Sequence, residues 1–369
     1  MRPFERVILL LLGSLCGRWV LATEIEPRRE YFYVGGTYKN ITTGNTTDLY
    51  MLNQIYVEKF TPPHPSQPYP IVFIAGGGQT STNFLETPDG RPGWLSYFIS
   101  RGYTVYLTDQ PSRGRSAWHP SQGPIYVFSA TAISSQFTAT SSHDQWPQAH
   151  LHTQWPGSGV PGDPIFDAFY ATQVQSIFNR TLTEKLNTDS YTALLDRIGT
   201  GTIILTHSQS GPYGWRLGDV RPDLVKGIIA LEPTGPPFEN VFPTRSFWRV
   251  WGITDLEIDY EPSTGVNGTA LNTTRIPAID SDHSECILQA DPPKKLKNLS
   301  RVPVLVVTAE ASQHAVFDYC TVDYLRQAGV QVEFADLAKE GIKGNGHFMF
   351  MEKNNMEVAD RVYRWLKQQ

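Results

Sequence analysis

A serine hydroxyl is a weak nucleophile at neutral pH and attacks a carbonyl only when a base takes its proton and a third group orients that base. The stretch Leu205-Thr206-His207-Ser208-Gln209-Ser210-Gly211 offers such a serine. An apolar run, Thr202 to Leu205, leads in, and a helix-like stretch from Gly211 to Leu217 leads out. A strand that turns sharply into a helix exposes the hydroxyl at the turn, and it leaves room only for small residues two before and two after the serine. Thr206 and Ser210 stand there, so the G-x-S-x-G pattern is matched in spacing and not in letters. Ser208 is the predicted nucleophile, with a helix N-cap serine as the plain alternative. Ser210 is the rival nucleophile, but its own +2 position is Pro212, already inside the helix.

Nine histidines could supply the base. His347 lies in Gly344-Asn345-Gly346-His347-Phe348, a glycine-rich loop after the last predicted strand and before the last predicted helix. That place satisfies the chain order serine, acid, histidine that accompanies a strand-to-helix serine. The flanking glycines let the backbone turn the ring into a cleft. His347 is therefore the predicted base, and a packed structural histidine is the alternative. His207 adjoins the serine on the opposite side of the turn and is expected to pack. For the acid, Glu232 follows Ala230-Leu231 and Glu310 follows Thr308-Ala309, each at the end of a predicted strand; Asp318 is a weaker third choice. A buried carboxylate is costly unless paired, which suits either strand end. The pattern alone leaves Glu232 and Glu310 nearly even.

The charge that develops on an attacked carbonyl oxygen calls for backbone N–H groups aimed at it. Gln209 offers one at the start of the helix, and Gly76-Gly77-Gly78-Gln79 offers Gly77 or Gly78 for the second. A tight turn without chemistry is the alternative for the glycines. They do not make a dinucleotide fingerprint, because Ser81 stands where the third glycine of G-x-G-x-x-G would fall. His143, Asp144, His150 and His152 share one segment but lack the ligand spacing of a zinc site. Neither a metal nor a cofactor is expected.

The elements that must position these groups alternate strand and helix, the pattern of an α/β fold. Strands are expected at Ile55 to Phe60, Ile71 to Ala75, Thr104 to Leu107, Thr202 to Leu205, Gly227 to Leu231, Val304 to Val307 and Val330 to Phe334. Helices are expected at Trp94 to Ser100, in two pieces over Phe166 to Ile198, from Gly211, at Phe317 to Ala328 and at Asn355 to Lys367. Runs of Val, Ile and Leu without alternation mean strands covered on both faces. The fold class is therefore a mostly parallel central sheet with helices on both faces. Two stretches break the alternation, at about 117–164 and 236–299. Long irregular segments of this kind are usually lids or binding loops, and both are expected to form a cap over the C-terminal ends of the strands.

The chain has 369 residues, is 40% hydrophobic and 18% charged, and carries a formal charge of −5. That balance excludes an intrinsically disordered protein. With 36 acidic against 31 basic residues there is no electrostatic footprint for nucleic acid. Residues 1–22 read as a signal peptide, with Arg2 and Arg6 ahead of the apolar run Val7 to Cys16 and a cut before Thr23. That run is too short for the roughly 20 residues of a membrane span. Residues 23–369 are then one domain with the two insertions. Asn-x-Ser/Thr occurs at Asn40, Asn45, Asn179, Asn267, Asn272 and Asn298, six of thirteen asparagines, which predicts a secreted glycoprotein or one held in the lumen of the secretory route. Once the signal is gone, Cys286 and Cys320 remain as an even pair in an oxidising compartment, and a disulfide is expected.

With these residues in view, the chain resembles the α/β-hydrolase esterases whose elbow reads His-Ser-Gln-Ser-Gly and whose acid follows the sixth strand. The resemblance runs from about Ile71 to the C-terminus. It rests on Thr87-Pro88-Asp89-Gly90-Arg91-Pro92-Gly93-Trp94, Asp109-Gln110-Pro111-Ser112-Arg113-Gly114-Arg115-Ser116, His207 to Gly211, Leu231-Glu232-Pro233, and Gly346-His347 with Asn354-Asn355. It implies Ser208 as nucleophile, His347 as base and Glu232 as acid, with Gln209 and Gly77 or Gly78 as oxyanion donors. The expected activity is cofactor-free hydrolysis of a carboxylic ester through an acyl-enzyme. Trp118, Trp146, Trp155, Phe247, Trp248 and Trp251 in the insertions suggest an apolar or aryl small-molecule substrate. A tailoring enzyme that cyclises or releases a natural product, and a non-catalytic binding protein, are the alternatives on the same fold.

Overall fold

The computed structural model describes residues 26–242, 244–265 and 271–369. The predicted signal segment, 1–22, and the sequon at Asn267 lie outside the described residues.

Eight strands form one sheet: β1 (Arg28–Thr43), β2 (Thr46–Thr61), β3 (Ile71–Ile74), β4 (Val105–Asp109), β5 (Thr202–His207), β6 (Val225–Leu231), β7 (Val304–Thr308) and β8 (Val332–Asp336). Their spatial order is β1-β2-β4-β3-β5-β6-β7-β8. β1 and β2 pair antiparallel with each other, and β2 pairs antiparallel with β4. Every pairing from β4 to β8 is parallel. Successive residues of a strand point to opposite faces, and both faces are covered. Phe73, Leu205, Leu231 and Val307 meet one core, while Val72, Ile204, Ala230 and Val306 meet the other. Helices α1 (Trp94–Ser100) and α5 (Asn355–Leu366) cover the first face with Phe98, Val362 and Trp365. Helices α2 (Arg180–Ile198), α3 (Gly211–Val220) and α4 (Asp318–Gln327) cover the second with Leu194, Trp215 and Leu325.

β3 lies between β4 and β5, so the chain leaves β3 toward one side and arrives at β5 from the other. Open α/β sheets bind ligands at such a switch, outside the C-terminal ends of the strands. Gly76 to Gly78 follow β3 and Ser208 follows β5, so both fall there.

Two features depart from the sequence expectations. The strand expected at Ile55 to Phe60 begins at Thr46 and is preceded by a 16-residue partner, β1, which had no apolar run to mark it. Its residues alternate between exposed and half-buried, and Tyr31, Tyr33, Tyr38, Leu49 and Met51 project from the hairpin. Second, a short strand, Ser176–Ile177, separates the two helices, Pro164–Tyr170 and α2, that stand where helix was expected in two pieces over Phe166 to Ile198.

The segment between β4 and α2 is built of short turns, among them Ala130–Ile133 running directly into a π turn at Ser134–Thr138. Between β6 and β7 the chain forms small two-stranded ribbons. Cys286, in one of these, is disulfide-bonded to Cys320 of α4. Closing a loop of 34 residues stabilises by about 3–4 kcal/mol on chain-entropy grounds.

Candidate active site

β5 ends at His207, and Ser208 turns at φ +53° before α3 begins at Gly211. Left-handed backbone at a residue other than glycine costs of order 1–3 kcal/mol and persists only where the surroundings enforce it. Here two close approaches do so. A Cβ on Gly211 would lie 2.5 Å from Pro233 Cβ, and one on Gly76 would lie 2.7 Å from His207 Nδ1. The rival Ser210 is fully buried, with its Oγ within hydrogen-bond distance of Ile74 O at 2.8 Å and His207 O at 2.9 Å, and accepting from His207 N–H. Ser208 is part-exposed and lines a cavity of about 450 Å³ together with His347, Gln209 and Gly77.

Nδ1–H of His347 donates to Glu232 Oε2 at 2.5 Å across 115 residues of sequence. Glu232 stands just beyond β6 with φ +44°. It also accepts from Ser312 Oγ at 2.6 Å and from Ala309 N–H at 2.8 Å. Burial pushes this carboxyl up to about 7, opposed by His314, the Ser312 hydroxyl and the Ala309 amide. Burial, and then nearby His314, hold His347 well below the ordinary imidazole value, so the ring rests neutral. The structure thus holds His347 and Glu232 in hydrogen-bond contact and places Ser208 and His347 on the lining of one cavity, with Glu232 buried.

The other candidates sit elsewhere. Glu310 accepts from Gly344 N–H at 2.8 Å and from Lys343 Nζ at 3.3 Å, at the base of the loop that carries His347. Asp318 accepts from Thr308 Oγ1 at 2.7 Å and from His314 Nδ1 at 2.9 Å. The His314 ring stacks on His347 at 4.9 Å between centroids. Burial would lower His314, but Asp318 and then Glu232 together outweigh it and the net shift is upward. His207 is buried, and its Nε2–H donates to His347 O at 3.0 Å. Glu232, His314 and His347 can bring one ligand atom each within 4.8 Å of one another, yet Nδ1 of both histidines is already taken by a carboxylate. His143 and His150 are exposed, and His152 pairs with Glu352, so the four residues of that segment are dispersed.

The glycine loop is resolved into two roles. Gly78 N–H donates to Ser176 Oγ at 3.1 Å, whereas Gly77 lines the cavity. Behind the loop lies a residue to which sequence reasoning gave no role. Arg113, fully buried, donates to Gly76 O at 2.7 Å and to Gln209 Oε1. It lies in the Asp109–Ser116 stretch that carries the resemblance, but its role is not readable there because its partners lie 37 and 96 residues away.

Of the tryptophans and phenylalanine expected to face the substrate, Trp248 lines the cavity. Trp146 instead packs on Phe242 and bonds Ala311 O, Trp155 packs on Phe169, Trp251 is buried and Phe247 is exposed. The apolar lining comes from Tyr126, Phe128, Ile133, Phe137, Phe178 and Phe348. Asn40, Asn45, Asn179 and Asn272 are exposed. Asn298 is half-buried and its amide donates to Asp219 and Asp259.

The strand order, the parallel pairing and the loops placed at the switch point define an α/β-hydrolase fold. A bacterial esterase solved at atomic resolution shares it, with a TM-score of 0.63 at 22% identity over 92% of this chain and 95% of that one. At the sequence level the chain is 56% identical to the probable secreted lipase phiG of Fungal sp. (strain ATCC 74256), over 100% of both chains. The protein belongs to the family of that lipase. No family model matches the sequence.

Proposed function

We propose that the protein is a secreted carboxylic ester hydrolase working through Ser208, His347 and Glu232. The observation that carries this reading is the Glu232–His347 hydrogen bond, with His347 lining the same cavity as a serine held at positive φ. His347 Nε2 takes the Ser208 proton as Oγ attacks the ester carbonyl, while Glu232 holds the Nδ1–H tautomer and stabilises the imidazolium. The tetrahedral intermediate collapses, the C–O bond breaks, and the imidazolium returns the proton to the leaving alcohol. Water then attacks the acyl-serine with the same base, releasing the acid.

Gln209 N–H, at the helix start where N–H groups have no intrahelical partner, supplies one oxyanion donor. Gly77 N–H supplies the other in preference to Gly78, whose N–H is taken by Ser176. A trans peptide is planar, with its C=O and N–H directed oppositely. By fixing Gly76 O on the side away from the cavity, Arg113 would aim the Gly77 N–H into it. The cavity size suits a small molecule, and its aromatic lining suits an apolar or aryl ester.

The two irregular segments act as a cap in this reading, since Tyr126, Phe128 and Phe137 of the first and Trp248, Arg249 and Asp255 of the second line the cavity. The disulfide, the exposed sequons and the predicted signal support secretion, and among the described residues no helix is long and apolar enough to cross a membrane. Labelling by a fluorophosphonate probe tests the reading. The wild type takes up one probe and hydrolyses p-nitrophenyl esters, and Ser208→Ala does neither. A folded wild type that resists the probe would sink the assignment.

A further inference from the structure

Four ionisable residues of the cavity wall, Arg180, Glu184, Arg249 and Asp255, have no part in the proposed mechanism. Three are already accounted for in part. Glu184 is buried, and its two oxygens accept Leu256 N–H and Asp255 N–H, each at 2.9 Å, which fixes that loop. Burial pushes Glu184 up to about 7, which weakens it as a counter-ion. Arg249 is 1% exposed; its Nη2 donates to Pro236 O at 2.7 Å and Glu239 O at 3.0 Å, but its Nε has no partner. Asp255 reaches Arg180 only at 3.9 Å, beyond hydrogen-bond range.

Arg180 is the least committed of the four. Its guanidinium lies 3.8 Å above the Trp248 ring, and its buried Nη1 has no partner. The Arg249 guanidinium also lies over the Trp248 ring, at 5.2 Å. Two guanidiniums therefore share a wall with two carboxylates, Asp255 and the amide-held Glu184, and the Arg180 guanidinium has no hydrogen-bond partner among the described residues. Burying such donors unpaired is costly. Nothing in an apolar ester offsets that cost, whereas a planar two-oxygen anion matches the guanidinium fork.

We propose that Arg180 and Arg249 form a subsite for a carboxylate carried by the substrate, so that the enzyme's substrates are acidic esters, such as half-esters of dicarboxylic acids, with an apolar middle. This rests on the hydrolase reading above and names its substrate class.

The test pairs p-nitrophenyl half-esters of straight-chain dicarboxylic acids with four to eight carbons against p-nitrophenyl esters of the monocarboxylic acids of equal length. At the best length, wild-type kcat/KM favours the acidic ester by roughly tenfold or more, the scale of one good charge-assisted hydrogen bond, and the gain lies in KM. Arg180→Gln brings the ratio close to one. Arg180→Lys, which keeps the charge and loses the fork, falls between. The same comparison read as Kd by calorimetry on Ser208→Ala requires no turnover. A wild-type ratio near one at every length, or a ratio that Arg180→Gln leaves in place, overturns the subsite while the hydrolase reading stands. Failure of the wild type to turn over any ester or to take up the fluorophosphonate overturns the hydrolase reading itself.

Discussion

His347–Glu232 and His152–Glu352 are built of the same groups at similar distances, 2.5 and 2.7 Å, and all four side chains are buried. They lie close in the fold as well. His347 sits in the loop that Glu352 braces, since Glu352 also accepts from Gly346 N–H at 3.0 Å and from Asn345 Nδ2 at 2.8 Å. The difference is in what surrounds each pair. His347 of the first pair faces a cavity that Ser208 also lines. The Glu352 pair ties residue 152 of the first irregular segment to the loop, and a Cβ on Gly346 would lie 2.8 Å from the His152 ring. A buried imidazole–carboxylate contact is thus no sign of chemistry by itself. An open cavity with a serine on its wall is what sets one pair apart.

That distinction can be broken most sharply at the acids. Glu232→Gln should lower kcat on an aryl ester by on the order of 10³–10⁴, because the amide no longer fixes the Nδ1–H tautomer or balances the imidazolium. Circular dichroism should show the fold retained. Glu352→Gln should fall mainly on stability, by roughly 1–3 kcal/mol in urea unfolding, as donors that met a carboxylate are left with an amide. Its loss of turnover should be much smaller. Equal losses in two folded variants would erase the contrast between the pairs.

The smallest effect concerns pH. A depressed imidazole loses its proton at lower pH, so the base form of His347 persists on the acid side. The acid limb of kcat/KM belongs to the Glu232–His347 unit as a whole, with the depressed His347 drawing it down and Glu232, pushed up to about 7, drawing it up. His314 contributes to that depression. His314→Gln, which can still donate to Asp318, should move the limb upward. A limb that stays or moves down would show that His314 does not bear on the reacting ring.

The centre of the sheet, β3, β5, β6 and β7, was legible because these strands are short apolar runs dominated by Val, Ile and Leu. Ser208 and His347 stood out for an equally local reason, each lying in a short stretch of unusual composition. What lay hidden depends on contacts between distant segments. The choice between Glu232 and Glu310 turns on a neighbour 115 residues on, and that between Gly77 and Gly78 on a serine hydroxyl 98 residues away. The tryptophans misled because size alone does not set direction. Trp146 and Trp155 fill gaps between segments, while smaller rings such as Phe128 and Phe178 reach the cavity. β1 was missed because an exposed hairpin needs no apolar run.

Asn179 draws two of these threads together. Its Oδ1 caps α2 by accepting Leu182 N–H at 3.0 Å, and its neighbours Phe178 and Arg180 both line the cavity. An N-linked sugar grows from the amide nitrogen, so the cap would survive it. The saccharide would then rise at the lip of the entrance as a hydrated fence. Such a rim would admit single dissolved molecules and keep the mouth from settling against an oil droplet or bilayer.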